Sequence, residues 1–234
     1  MIECETMLAS CLGTRSARVE VEERPCRRGQ VLFREWEEPT HLFFLCSGLV
    51  KLTKPSPRGR DIITRLHFPG EPVGLASLLA GEPYPETATC VQAGLVCALR
   101  REDFLRVVQA CPDLLVALLR AESDSEAFMH EMMARMAVEP VESRAARALL
   151  MLAQRLGQPG PRGLEFHMPL SRADFGRLIG TSAESAMRIL SRMRQQGLIS
   201  ERGRRIVLGD LEPLRAWASG VVRRPADPSP WHGV

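Results

Sequence analysis

The sequence predicts an α+β fold: an N-terminal barrel of short antiparallel strands, a long helix, and a C-terminal winged helix-turn-helix. Three patterns carry that prediction. Gly48, Gly59, Gly70 and Gly81 recur at intervals of eleven between segments rich in branched and aromatic residues, as turns recur between strands. Beyond Pro112, apolar residues fall at alternating steps of three and four. Between residues 170 and 201, two short helical patterns flank a single glycine, Gly180.

In chain order, strands are expected at 41–45, 62–68, 87–91 and 95–99. The long helix, 113–138, carries Leu118, Ala121, Ser125, Phe128, Met132 and Met136 as a coiled-coil-like stripe able to pair two chains. The competing reading packs the helix on its own barrel, a need that Leu114, Leu115 and Leu119 also express; both hold if opposite faces are used. Glu139 and Pro140 end the helix and form a hinge. A helix over 141–156 then supports the reader, 158–163 is a loop, and 211–218 forms a short last helix. These elements divide the chain into an extension (1–18), a sensor barrel (19–111), a dimerisation helix (112–138), a winged helix-turn-helix (139–222) and a proline-rich tail expected to be disordered (223–234).

In the reader, Ser171 caps the first helix (172–179) with Asp174 three residues on, and Phe175, Leu178 and Ile179 are its apolar face. Gly180 makes the turn, and Thr181 or Ser182 caps the second helix, whose buried stripe is Ala186, Ile189, Leu190 and Met193. Ala183, Glu184, Ser185 and Arg188 remain outward. Glu184 and Arg188 lie one turn apart, where a recognition helix offers its start to the major groove: arginine bonds guanine O6 and N7, and glutamate accepts from cytosine N4. The plainer reading is a surface ion pair contributing about 0.2 to 0.5 kcal/mol. The turn, strand, basic tip and strand over 197–208 favour the first reading, because they complete a winged helix. The candidate DNA-facing set is Ser171, Thr181, Ser182, Ala183, Glu184, Ser185, Arg188, Arg192 and Arg204.

Charge agrees. From Glu139 onward, 15 arginines face nine acidic residues, whereas residues 1–138 hold 16 basic and 19 acidic ones. A basic half on an acidic body suits attraction to phosphate. No apolar run is long enough to span a membrane and no signal-peptide pattern opens the chain, so a cytoplasmic protein with no membrane partner is expected. No nucleophile, base and orienter set, no P-loop and no metal-hydrolase spacing is present, which argues against an enzyme.

The run 170–208 resembles the DNA-binding domain of the Crp/Fnr family of bacterial transcription regulators, through its capped helix, Ile179-Gly180 turn, Glu184-Ser185-x-x-Arg188 surface and Leu198-Ile199-Ser200 strand. Arg28-Gly-Gln-Val-Leu-Phe33, Cys46-Ser-Gly-Leu-Val-Lys51 and Pro69-Gly-Glu-Pro-Val-Gly74 extend the resemblance to the family's cyclic-nucleotide-binding-type β jelly roll. It covers about 19–218. The resemblance implies a homodimer that binds a palindrome on double-stranded DNA, with Glu184 and Arg188 reading the inner G·C pair of a TGA-like half-site. It also implies contact with RNA polymerase, as activator or repressor. Ala183 and Met187 depart from the family's two founding branches, which leaves the outer bases open. Met129 matches an aspartate that opposes pairing in the Fnr branch, so dimerisation without a signal is implied.

At the family's effector pocket, which maps onto Gly74, Leu75, Tyr84, Glu86 and Thr87, Glu86 stands where an arginine holds cyclic AMP's phosphate and Leu75 where a glutamate holds its ribose. An acidic side chain repels a phosphate, so cyclic AMP is disfavoured, while Tyr84 and Thr87 still suit another small effector. In the Fnr branch, three N-terminal cysteines and one in the barrel hold an iron–sulfur cluster. Cys97 falls at the barrel position, and Cys4 and Cys11 lie near the matching end, without that branch's C-x-x-C spacing. Completing four ligands requires Cys26, a non-cysteine ligand or a second subunit. Cys97 is open between packing and ligation; Cys4 and Cys11 are open between ligation and free, redox-reactive thiols; Cys46, Cys90 and Cys111 read as packing. His41 and His67 read as ordinary barrel residues, and His130 as a polar flank of the helix interface. A redox or iron–sulfur signal is the expected input. The alternatives are another effector in the barrel, or a sensor acting through protein partners without DNA.

Overall fold

Residues 42–45 are apolar without alternation because both faces of their strand are covered. Leu42 and Phe44 point to one core and Phe43 and Leu45 to another. The computed structural model describes residues 21–55 and 61–220. Inside the long helix it leaves out the side chains of 121, 124, 125, 127–133 and 135–137. Cys4, Cys11, Gly59, the extension at 1–18 and the tail at 223–234 therefore lie outside the described residues. The side chains of Ala121, Ser125, Phe128, Met129, His130, Met132 and Met136 lie outside them too.

The described chain forms two compact units that divide between Met132 and Met133. The first is an antiparallel jelly roll with strand order β1 (Val21–Cys26), β6 (Thr87–Arg100), β3 (His41–Pro55) and β4 (Asp61–His67); β2 (Val31–Phe33) pairs with β6, and β5 (Pro72–Val73) with β3. Two expectations merge here. The sequence pattern predicts a turn at Gly48 and two strands over 87–99, yet β3 and β6 each run unbroken through those points. Gly48 has φ 94° and Gly94 faces it, and the register shifts three times between Leu45 and Val50. A Cβ on Gly48 would stand 2.6 Å from the Gln92 carbonyl, and one on Gly94 would strike the Ser47 backbone. These glycines allow two bulged strands to cross closely, which a spacing rule reads as a turn. Gly70 and Gly81, with φ of 86° and 71°, do sit at turns.

The inner core packs Phe33, Phe43, Leu45, Val50, Tyr84 and Val96. The outer one covers the opposite face of β3 and β6 with two helices that no sequence pattern announced, α1 (Leu75–Ala80) and α2 (Arg101–Ala110), and with the start of α3 (Pro112–Val138). Leu114 and Leu118 of α3 are fully buried there against Phe104 and Val107. Leu118 therefore has no surface left for a partner chain, which corrects its place in the interface stripe: it fills the barrel's own outer core. The apolar residues that this part of α3 exposes are Val116 and Leu119, 47% and 48% accessible. Arg65 of β4 donates to Glu122 of α3 at 2.6 Å and ties strand to helix.

In the second unit, Pro140 precedes α4 (Val141–Leu156). Its buried alanines and Leu149 and Leu152 form one face. Arg147 joins Glu139 to the carbonyl of Ala218, at the end of α7 (Leu211–Ala218). The expected loop at 158–163 is instead the turn of a hairpin, β7 (Gln158–Gly160) and β8 (Gly163–His167), opened by Gly163 at φ 123°. That hairpin pairs with the wing strands β9 (Ser200–Arg202) and β10 (Arg205–Leu208) in the order β7-β8-β10-β9, and Phe166 is buried beneath it. No described helix is long and apolar enough to cross a membrane.

Two outcomes follow from this packing. Leu118→Ala should cost the folded chain about 2 to 5 kcal/mol in urea denaturation, as a buried leucine does. His67 is almost fully buried, and neither ring nitrogen has a hydrogen-bond partner among the described residues. Glu71 Oε2, 3.8 Å away, is too distant for a hydrogen bond, and burial together with the nearby Arg65 charge holds the imidazole's pKa well below its ordinary 6.5. The unfolded chain therefore takes up a proton first. Stability is intact above about pH 6.5 and falls as pH drops below it. His67→Leu should flatten that acid limb of the urea midpoint.

Candidate nucleic-acid interface

The reader is built from α5 (Arg172–Leu178) and α6 (Ala183–Gln195). Ser171 accepts from the Asp174 amide at 3.0 Å and donates its hydroxyl to Asp174 Oδ2 at 2.7 Å; Arg177 closes on the same carboxylate at 3.2 Å. Gly180 turns the chain at φ 67°. Gly176 has a role that sequence reasoning passed over: a Cβ there would meet the Thr181 carbonyl at 3.0 Å and the Ala183 nitrogen at 3.1 Å. Its bareness lets the two helices meet, and nothing in the helical period marks it.

Ser182, not Thr181, caps α6, accepting from the Ser185 amide at 3.2 Å. Thr181 is held by its own amide, which donates to the Gly176 carbonyl at 2.8 Å. Ala186, Ile189, Leu190 and Met193 are buried. On the other side Glu184 and Arg188 are exposed and Ala183, Ser185 and Met187 are half-buried. Arg188 donates to Ser185 Oγ at 3.1 Å, which draws its guanidinium toward the helix start. A capped helix start bearing a carboxylate and a guanidinium one turn apart can meet base edges.

The remaining arginines divide by what they already hold. Arg192 pairs with Glu142 of α4 at 3.3 Å. Arg204 donates to the carbonyls of Met168, Pro169 and Leu170 at 2.8, 3.3 and 3.3 Å, so its guanidinium braces the wing against the segment leading into α5. Arg205 is held by Glu165 at 3.1 Å. Arg172, at the start of α5, and Arg202, beside the wing turn at Gly203, are exposed and make no ion pair among the described residues. Arg202 lies in the basic run 202–205 and Arg172 stands alone between Ser171 and Ala173; neither was in the candidate set.

In the barrel, Leu75 and Tyr84 belong to the two cores. Tyr84 stacks on Phe33 with centroids 3.6 Å apart, fills the space beside Gly74, and donates its hydroxyl to the His41 carbonyl at 2.9 Å. Burial pushes its phenol up to about 12. Glu86 and Thr87 are half-buried, and Thr87 Oγ1 accepts from the Glu35 amide at 3.1 Å. The structure thus separates Tyr84 and Leu75, which are packed, from Glu86 and Thr87, which keep surface.

Cluster iron is typically ligated by four thiolates. Among the described residues no three His, Cys, Asp or Glu side chains converge as a metal site. Cys97 has Cys46 beside it, sulfur to sulfur 2.8 Å. Cys26 and Cys90 are buried together elsewhere in the barrel, and Cys111 is disulfide-bonded rather than simply packed. The described thiols therefore do not make a four-thiolate set.

Residues 23–111 match the cyclic nucleotide-binding domain family and residues 143–217 the Crp-like helix-turn-helix domain family. The helix-turn-helix match and the relatives below point to a transcription regulator rather than an enzyme. The chain is 29% identical to the transcriptional activator protein FnrA of Stutzerimonas stutzeri over 199 residues, covering 85% of this chain and 81% of that protein. It is 26% identical to the fumarate and nitrate reduction regulatory protein of Escherichia coli K12 over 204 residues, 87% of this chain and 81% of the relative. Among solved structures, FixK2 from Bradyrhizobium japonicum superposes with a TM-score of 0.77 at 24% identity, covering 85% of this chain and 98% of that one. The c-di-GMP responsive regulator CLP of Xanthomonas campestris gives 0.68 at 22%, covering 81% and 94%. These two structures share the fold.

Arg204→Ala should lower stability by about 1 to 3 kcal/mol in chemical denaturation, because three charge-assisted hydrogen bonds are lost. Arg202→Ala should leave it within about 0.5 kcal/mol of the parent.

Proposed function

We propose, from the premise that this chain belongs to the Crp/Fnr family of bacterial transcription regulators, that it is a homodimer reading a palindrome of TGA-like half-sites on double-stranded DNA with Glu184 and Arg188. One observation carries the reading. These two side chains are exposed a turn apart at the capped start of α6, while the opposite face of that helix is buried. Arg172 and Arg202 are available to phosphates on either side of it. In this reading residues 19–111 sense, 112–138 dimerise and 139–222 bind DNA, in the cytoplasm, with RNA polymerase as the protein partner. Val116 and Leu119 give α3 an apolar surface for the second chain.

The signal we infer is redox chemistry rather than cyclic AMP. Relatives are named for anaerobic regulation and for fumarate and nitrate reduction. At the pocket, Glu86 would repel a cyclic phosphate and the buried Leu75 offers nothing to a ribose hydroxyl. The second reading, another small effector in the barrel, draws on the surface that Glu86 and Thr87 keep.

Arg188→Ala should weaken binding to the selected palindrome by about 1 to 3 kcal/mol and relax preference at one base pair per half-site. Fluorescence anisotropy against a library of palindromes measures both, and an unchanged preference would remove Arg188 from the reading surface. No binding to any palindrome by the parent would remove the DNA reading itself.

A further inference from the structure

Cys46 owes its position to a bulge. Phe44 of β3 pairs with Cys97 of β6 and Leu45 with Val96, but the next pairing is Ser47 with Leu95. Cys46 is the extra residue, and it is brought beside Cys97 with the two sulfurs 2.8 Å apart. That is short for two sulfurs with no bond between them, and within about 1 Å of the disulfide length of about 2.05 Å. Both side chains are half-buried, and both cysteines are free of disulfides. Cys97 also packs on the outer core that receives Leu114 and Leu118 of α3.

The barrel's other cysteine pair behaves in the opposite way. Cys26 and Cys90 are buried in the inner core, where the Cys90 thiol donates to the Gln92 carbonyl at 3.1 Å. Burial and the neighbouring Cys90 thiol push the Cys26 thiol up to about 12. The thiolate is the reactive form, and a buried thiol in apolar surroundings is inert. Two pairs with the same atoms thus differ in access.

We propose that Cys46 and Cys97 form a reversible dithiol–disulfide site oxidised by hydroperoxides. One thiolate attacks a peroxide oxygen, the O–O bond breaks, and the products are a sulfenic acid and an alcohol, or water when the oxidant is hydrogen peroxide. The second thiol displaces water from the sulfenic sulfur and the S–S bond forms. The two sulfurs have then lost two electrons to the peroxide, and their two protons leave in the alcohol and water. Two molecules of a small thiol reverse the step and are themselves joined as a disulfide. The bond staples β3 to β6 at their bulged crossing, on the face that carries α3. Only this regulatory consequence rests on the redox reading above; the bond itself does not.

The test uses the full chain, reduced, treated with hydrogen peroxide, and then alkylated and digested with trypsin. Peptide 35–51 carries Cys46, and peptide 66–100 carries both Cys90 and Cys97, so fragmentation must assign the sulfur. The expected product is a Cys46–Cys97 cross-link that dithiothreitol reverses. It is absent in Cys46→Ser and in Cys97→Ser and retained in Cys90→Ser. A bond to Cys90, or single-site sulfinic acid with no cross-link in the parent protein, overturns the site, whatever the variants do. Palindrome affinity is read on the same samples. A change of roughly fivefold or more on oxidation, lost in Cys46→Ser, supports the regulatory consequence. Unchanged affinity with the bond complete overturns that consequence. Absence of DNA binding in both redox states breaks the DNA reading and leaves the mapped bond as evidence for the site.

Discussion

The pairing of β3 with β6 is the constraint on which the first unit rests. Both of its cores are made by opposite faces of these two strands, Phe43 and Leu45 inward and Leu42 and Phe44 outward. Strands this long must bend to wrap a barrel, and they bend where Gly48 and Gly94 let backbone touch backbone. A one-residue slip there would turn each of these side chains to the wrong core. The helices α1, α2 and the start of α3 then have a defined surface to settle on, and Leu114 and Leu118 complete it.

The second unit follows a different economy, in which arginine does most of the work and its tasks are divided by geometry. Arg147 and Arg204 reach backbone carbonyls, Arg192 and Arg205 are held by carboxylates, and Arg172, Arg188 and Arg202 are exposed. Arginine suits the first task because its planar fork satisfies several acceptors at once, where lysine's single ammonium would not. Net charge therefore overstates how many side chains are available to phosphate.

Much of this was legible in the sequence, for identifiable reasons. The reader was clear because a hydroxyl cap, a glycine turn and a 3.6-residue stripe agree at Ser171, Gly180 and Ala186 to Met193. The break at Pro140 was clear because proline cannot continue a helix. What stayed hidden depends on contacts distant in sequence. Gly48 looks like any turn glycine until Gly94 is opposite it. Leu118 fits a coiled-coil stripe as well as it fits a barrel core, and only the covering of β3 and β6 decides. Arg204 reads as a phosphate ligand until three carbonyls close on it. The β7–β8 hairpin was missed because residues 158–163 hold two prolines and two glycines, a composition shared by loops and tight turns.

A bulge residue stands outside the ladder, so its side chain is answerable to its surroundings but not to strand register. Cys46 can be exchanged for another small residue without moving Phe44 or Val50 from their cores. The barrel thus holds a position whose chemistry is separable from its architecture. Lineages that keep the same crossing of β3 and β6 are free to acquire, lose or replace a reactive group there without rebuilding the fold around it.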